Sequence, residues 1–147
     1  MHKVLAFFSA VMAATLVGCG TSGESQYPLS GLQEYETPDE MAADLNAGGF
    51  DCEGYERTSG FVNAASSGEC WHPRSGDEDL QTILMIFNTE ADQRNQAEIY
   101  REMAELLSDM ETGFVEGGNW MVNCGDHTSC AEVQEILGGR KEISPLI

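Results

Sequence analysis

The apolar residues of this chain fall into short runs with different periods. Residues 4–16 are apolar or small almost throughout, whereas residues 20–36 are dominated by Gly, Ser, Thr, Gln and Glu around a single Pro28. The second composition lacks apolar periodicity and predicts a tether with an r.m.s. reach of roughly 20–25 Å. Thr37-Pro38-Asp39-Glu40 then has the form of a helix start. Thr37 takes the capping position, Pro38 the first helical position, and Glu40 closes a capping box. Met41 and Leu45 supply a short apolar stripe, and Gly48-Gly49 predict its end.

Beyond that helix the pattern turns extended. Phe50, Cys52 and Tyr55 are expected to face inward, and residues 58–68, small and polar apart from Phe61-Val62, read as a loop or a poorly formed strand. Glu69-Cys70-Trp71-His72 predicts a short strand ended by Pro73, and Asp77-Glu78-Asp79 an acidic turn. Residues 80–87 are apolar and rich in β-branching, the signature of a central strand covered on both faces. Thr89, with Asp92 at the capping-box position, opens a long helix expected to reach Met110. Ile99, Met103, Leu106 and Met110 recur at helical spacing and predict its inner face.

Phe114-Val115-Glu116 and Asn119-Trp120-Met121-Val122-Asn123-Cys124 flank Gly117-Gly118, which reads as a hairpin with a type I′ or II′ turn. Ser129 and Glu132 have capping-box spacing before Val133, Ile136 and Leu137, and residues 141–147 read as a loose tail. This order predicts one α+β domain over residues 37–147, a small antiparallel sheet with helices mainly on one face.

The first apolar run changes that picture. Met1-His2-Lys3 precedes it as a short basic region, and its length suits an export signal. It is too short to cross ~30 Å of hydrocarbon. The run closes on Leu16-Val17-Gly18-Cys19, which resembles the lipobox of bacterial lipoproteins: a branched aliphatic, a tolerant position, a small residue, then Cys. The resemblance implies removal of residues 1–18 and a diacylglyceryl group on Cys19. The protein would then be held through Cys19 at the extracytoplasmic face of the cell membrane, with residues 19–36 as anchor and tether. Each buried methylene contributes ~0.8 kcal/mol, and more than one acyl chain makes such anchoring stable. Residues 118–124 also resemble, in pattern, the small cysteine-paired lipoproteins of actinobacteria, which implies nothing catalytic.

Charge narrows the partners. The chain carries 25 acidic and 7 basic residues, a net charge of −18. Such a surface repels nucleic acid and anionic headgroups, so no nucleic-acid partner is expected. Lys141 is the only lysine after Lys3, and a surface this acidic suits a salty medium, where screening is short-ranged.

With Cys19 lipidated, Cys52, Cys70, Cys124 and Cys130 remain, an even set in an oxidising compartment. Three pairings are possible. The sequence-local one, Cys52–Cys70 with Cys124–Cys130, closes the shortest loops and is expected. A zinc set of His72, Cys124, His127 and Cys130 can be drawn, but its spacing matches no standard finger or ribbon. Asp77-Glu78-Asp79 lacks the alternating ligands of a calcium loop. No C-x-x-C, H-E-x-x-H, G-x-S-x-G or phosphate-binding glycine loop occurs. No catalytic residue, metal or cofactor is therefore expected.

Trp71 and Trp120 are expected to pack against the disulfides. The resulting expectation is a non-enzymatic interaction or binding module of the cell envelope, its partner an envelope protein or small ligand. The alternative is a solute- or cation-binding accessory to a transporter. A closed, pocketless core with an exposed apolar patch favours the first, and a deep pocket lined by aromatic and polar side chains the second. A converging acid, base and nucleophile would favour a third reading, a hydrolase with an unrecognised site.

Overall fold

The computed structural model describes residues 32–73, 79–107 and 110–144. The expected signal, the lipobox with Cys19, most of the tether, Asp77-Glu78 and residues 145–147 lie outside the described residues. The elements run α1 (Pro38–Ala47), β1 (Glu53–Thr58), β2 (Ser66–His72), β3 (Leu80–Ile86), α2 (Glu90–Leu106), β4 (Thr112–Gly117), β5 (Trp120–Asn123), α3 (His127–Leu137) and β6 (Arg140–Ser144). The six strands form one sheet in the order β1-β2-β3-β5-β4-β6, and every neighbouring pair is antiparallel.

Two features of this order place the helices. β3 and β4 are parallel with β5 between them, and α2 joins them; β5 and β6 are parallel with β4 between them, and α3 joins them. Both crossovers step the same way along the sheet, but they start from strands of opposite direction. Two such crossovers of one hand must lie on opposite faces, and parallel crossovers share a strong right-handed preference. The structure follows this. Met41 and Leu45 of α1 and Val133 and Leu137 of α3 pack on one face, against Leu84, Val115, Trp120 and Val122. On the other face α2 covers Met85, Phe87, Phe114 and Met121 with Ala97 and Tyr100. The domain is α+β, with two helices on one face and α2 alone on the other.

Both expected disulfides are present, with Cα–Cα separations of 5.2 Å for Cys52–Cys70 and 5.1 Å for Cys124–Cys130. All four cysteines are buried in the α1/α3 core. Helix starts also follow local chemistry. Thr37 Oγ1 accepts from the Glu40 amide at 3.4 Å, and Thr89 Oγ1 from the Asp92 amide at 3.1 Å.

Several expectations are corrected. α3 is capped by Asp126, whose carboxylate accepts from the Ser129 amide at 2.8 Å and takes over the role expected of Ser129 and Glu132. The β4–β5 turn is Gly118-Asn119, one residue later than expected, and neither residue has positive φ. Gly118 answers to crowding instead: a Cβ there would lie 2.7 Å from the Gln33 carbonyl oxygen. Of the two readings left for residues 58–68, the strand holds for residues 66–68, which start β2. The expected loose tail supplies all of β6 after Arg140, a charged edge strand paired along β4. Finally, the packed domain begins before Thr37. Tyr35 is buried, its amide donates to Asn119 Oδ1 at 2.9 Å, and Asn119 Nδ2 donates back to the Tyr35 carbonyl at 2.8 Å. Trp120 Nε1 donates to the Gln33 carbonyl at 2.9 Å, so residues 33–35 form a strap across the hairpin turn.

Candidate functional site

α2 is rotated away from its expected orientation. Its buried stripe is Gln93, Gln96, Ala97 and Ala104, with Tyr100 half-buried between them. The apolar stripe expected to face the core is exposed instead: Ile99 by 40%, Met103 by 45%, Leu106 by 84% and Met110 by 59%. The sheet explains this. Met85, Phe87, Phe114 and Met121 already fill the face beneath α2, so small residues and one ring fit against them. Gln93 is drawn inward because its Nε2 donates to the carbonyls of Gly117 (2.8 Å) and Trp120 (3.1 Å) at the hairpin end. Burying those acceptors unpaired would cost more than burying an amide that satisfies both.

The displaced stripe borders a groove of about 690 Å³ between the end of α2 and the strands β4 and β6. Its walls include Leu80, Tyr100, Met103, Leu107, Phe114 and Ile143. Leu107 is 41% exposed, while Leu106 and Ile99 extend the apolar surface beyond the groove wall. Four carboxylates (Glu105, Glu111, Asp126 and Glu142) and one guanidinium, Arg101, complete the lining. Arg101 is held in place: Nε and Nη2 donate to the two oxygens of Glu142 at 2.8 and 2.7 Å. Its guanidinium carbon lies 5.9 Å from the Phe114 ring centroid, the range of a cation–π contact.

Behind Arg101, the fully buried Glu116 accepts from Arg140 of β6. This network pins the edge strand β6 and fixes one wall of the groove. Tyr100 forms part of the floor, with its hydroxyl 3.9 Å from the Met85 sulfur. Burial pushes its phenol above the usual value, and hydrogen bonds from Asn123 and Gln96 partly offset the rise.

A second, polar cleft of about 510 Å³ adjoins the groove and shares Glu111 and Asp126 with it. His72, His127, Ser129 and Glu132 also line it. His72 stacks on Phe50, with ring centroids 4.0 Å apart, and its Nε2 lies 3.5 Å from Glu132. Because Cys124 and Cys130 are bonded to each other, the zinc set with His72 and His127 has lost two of its ligands. No group of three or more His, Cys, Asp or Glu is arranged to hold a metal ion among the described residues.

The two tryptophans part company. Trp120 is fully buried, edge-on to Tyr35 with centroids 6.2 Å apart, in the core that holds the disulfides. Trp71 is 42% exposed, because β2 turns it to the face opposite Cys70, outside the cover of α2. Neither tryptophan lines the groove.

The groove draws together residues of β3, α2, β4 and β6 that lie far apart in the sequence. The usable signal was the mismatch on α2, whose 17 residues carry two competing stripes. No helix among the described residues is long and apolar enough to cross a membrane. Comparison with protein-family models, with curated proteins and with solved structures returned no match.

Proposed function

We propose that this protein is a lipid-anchored binding module of the cell envelope, held outside the cytoplasm through Cys19, and that the groove beside α2 is where it engages its partner. The observation that carries this reading is the outward apolar stripe of α2, Ile99, Met103 and Leu106, continued past the helix by Met110 and bordering an apolar groove. A contiguous exposed apolar surface of this kind, rimmed by polar residues, marks an interaction site. Leu106 and Ile99 lie outside the groove wall, which favours a segment of a larger partner over an enclosed solute.

The position of the groove supports the same reading. The strap of residues 33–35 is docked at the β4–β5 turn, whereas the groove opens at the other end of β4, beside Thr112 and Gly113. Six strand residues, roughly 17–20 Å, separate the two ends. A chain anchored through its N-terminal segment therefore enters the domain at the end opposite the groove, which keeps the groove clear of the point of attachment.

Nile red, a neutral dye that brightens in apolar surroundings, tests the site on residues 20–147, which hold every residue of both apolar cores. Saturable enhancement, reduced several-fold by Met103→Gln with Leu107→Gln, is the expected result; equal enhancement in the variant sinks the reading. The anchor is tested separately in cells, where Cys19→Ala should move the protein from the detergent to the aqueous phase on partition.

A further inference from the structure

The apolar groove and the polar cleft form one continuous surface, joined at Glu111 and Asp126. Passing along it, a ligand meets apolar walls first and then carboxylates: Glu105 at the groove edge, Glu111 at the junction, and Glu132 in the cleft. Arg101, the one Lys or Arg in the groove lining among the described residues, is engaged by Glu142. An apolar trough flanked by carboxylates complements a ligand that carries apolar groups on one face and positive charge beside them.

The alternatives fit less well. A second copy would bring an identical acidic rim against this one, on a chain of net charge −18. Anionic lipid meets the same repulsion. Residues 20–31 of the chain itself carry Glu24 and no Lys or Arg, so they do not match the rim. The exposed stripe from Ile99 to Leu106 spans about two helical turns, roughly 10 Å, which suits anchors at i, i+3 and i+7 of a short helix. Met103 and Met110 add unbranched, polarizable side chains that repack around different apolar groups.

Resting on the binding reading above, we infer that the occupant is a cationic amphipathic peptide segment, bound as a helix with its apolar face in the groove and its Lys or Arg side chains over Glu105, Glu111 and Glu132. Charge sets the rate and selectivity of this docking, and the apolar contacts supply most of its hold.

The test uses a labelled synthetic helix of Leu and Lys in amphipathic order, about 14 residues or ~21 Å long, with a counterpart in which Glu replaces Lys. Fluorescence anisotropy is measured on residues 20–147. The Lys peptide should bind at least tenfold more tightly than the Glu peptide and weaken as salt rises. Met103→Gln with Leu107→Gln, and separately Glu105→Gln with Glu111→Gln, should each weaken it at least tenfold; all four residues are exposed, and unchanged circular dichroism reports an intact fold.

Equal binding of the two peptides would overturn the cationic assignment and leave the groove reading standing. Lys-peptide binding that ignores the groove pair would reduce the effect to attraction by net charge and overturn the inference. No peptide binding, with Nile red still bound, would overturn the inference alone. A dimer in sedimentation that the groove pair dissolves would assign the surface to a second copy and overturn it as well.

Discussion

Gln93 occupies a place where the helical pattern calls for an apolar side chain, and its value lies in what it satisfies. Both of its acceptors are main-chain carbonyls at the end of the β4–β5 hairpin. Gln93→Leu should therefore destabilise the domain by about 1–3 kcal/mol in urea denaturation, although it adds apolar surface to a core. Thr82 is the opposite case. Its Oγ1 is buried with no hydrogen-bond partner among the described residues, on the face of β3 that packs under α1. Thr82→Val keeps the shape and removes the unpaired hydroxyl, so it should raise stability by about 1 kcal/mol in the same measurement.

Tyr35, buried, and Tyr55, half-buried, add a pH dependence. Burial and the Asp44 carboxylate hold the Tyr35 phenol above its usual value of 10.0, and burial with Asp39 pushes Tyr55 up to about 12. On raising the pH, the unfolded chain ionises first, so this stability is complete below pH 10 and is lost as pH rises towards the folded values. Denaturation midpoints should fall between pH 10 and about 12, and Tyr35→Phe should flatten that fall. A slope unchanged in Tyr35→Phe would remove Tyr35 from the account.

At the scale of elements, what was legible depended on whether one physical preference acted alone. β3 reads directly from its apolar run, since both of its faces lie under helices and nothing competes with burial. The disulfides were legible because loop length and compartment pointed to one pairing. α2 was legible in its start and cap, but it ends at Leu106 rather than near Met110. Its orientation was not legible, because the rotation of an amphipathic helix depends on the space the sheet leaves, and Phe114 and Met121 leave room for alanine. Similarly, Arg140-Lys141-Glu142 looks like solvated chain until Glu116, buried on the neighbouring strand, supplies Arg140 with a partner.

The groove was illegible for both reasons at once. The rotation makes opposite predictions for two residues of α2. Leu106→Gln, at a position 84% exposed, should change stability by no more than about 0.5 kcal/mol. Ala97→Leu, at a fully buried position packed against the sheet, should cost about 1–3 kcal/mol by overpacking. A helix oriented by its larger apolar stripe would reverse that order, which thermal or urea melts of the two variants would reveal.

For the whole molecule, the decisive contact is the one between the strap and the hairpin turn, because it sets which end of the domain the N-terminal chain leaves from. Three groups hold it: the paired amides of Tyr35 and Asn119, the Trp120 indole on the Gln33 carbonyl, and the Tyr35 hydroxyl on Asp44 at 2.9 Å. Tyr35 is also buried against Trp120 in the α1/α3 core. A domain beginning at Thr37 would lose that burial, worth about 2 kcal/mol, and would expose part of a core tryptophan. The freed polar groups would regain water, so their loss adds little beyond about 1 kcal/mol.

Residues 37–147 should therefore be about 2–4 kcal/mol less stable than residues 20–147. A chain beginning at Leu32 should retain most of the difference, since it keeps all three groups of contacts. Urea denaturation of the three lengths separates the strap from the expected tether: equal stability for all three would mean that residues 33–35 contribute nothing and that the exit point of the chain is unfixed.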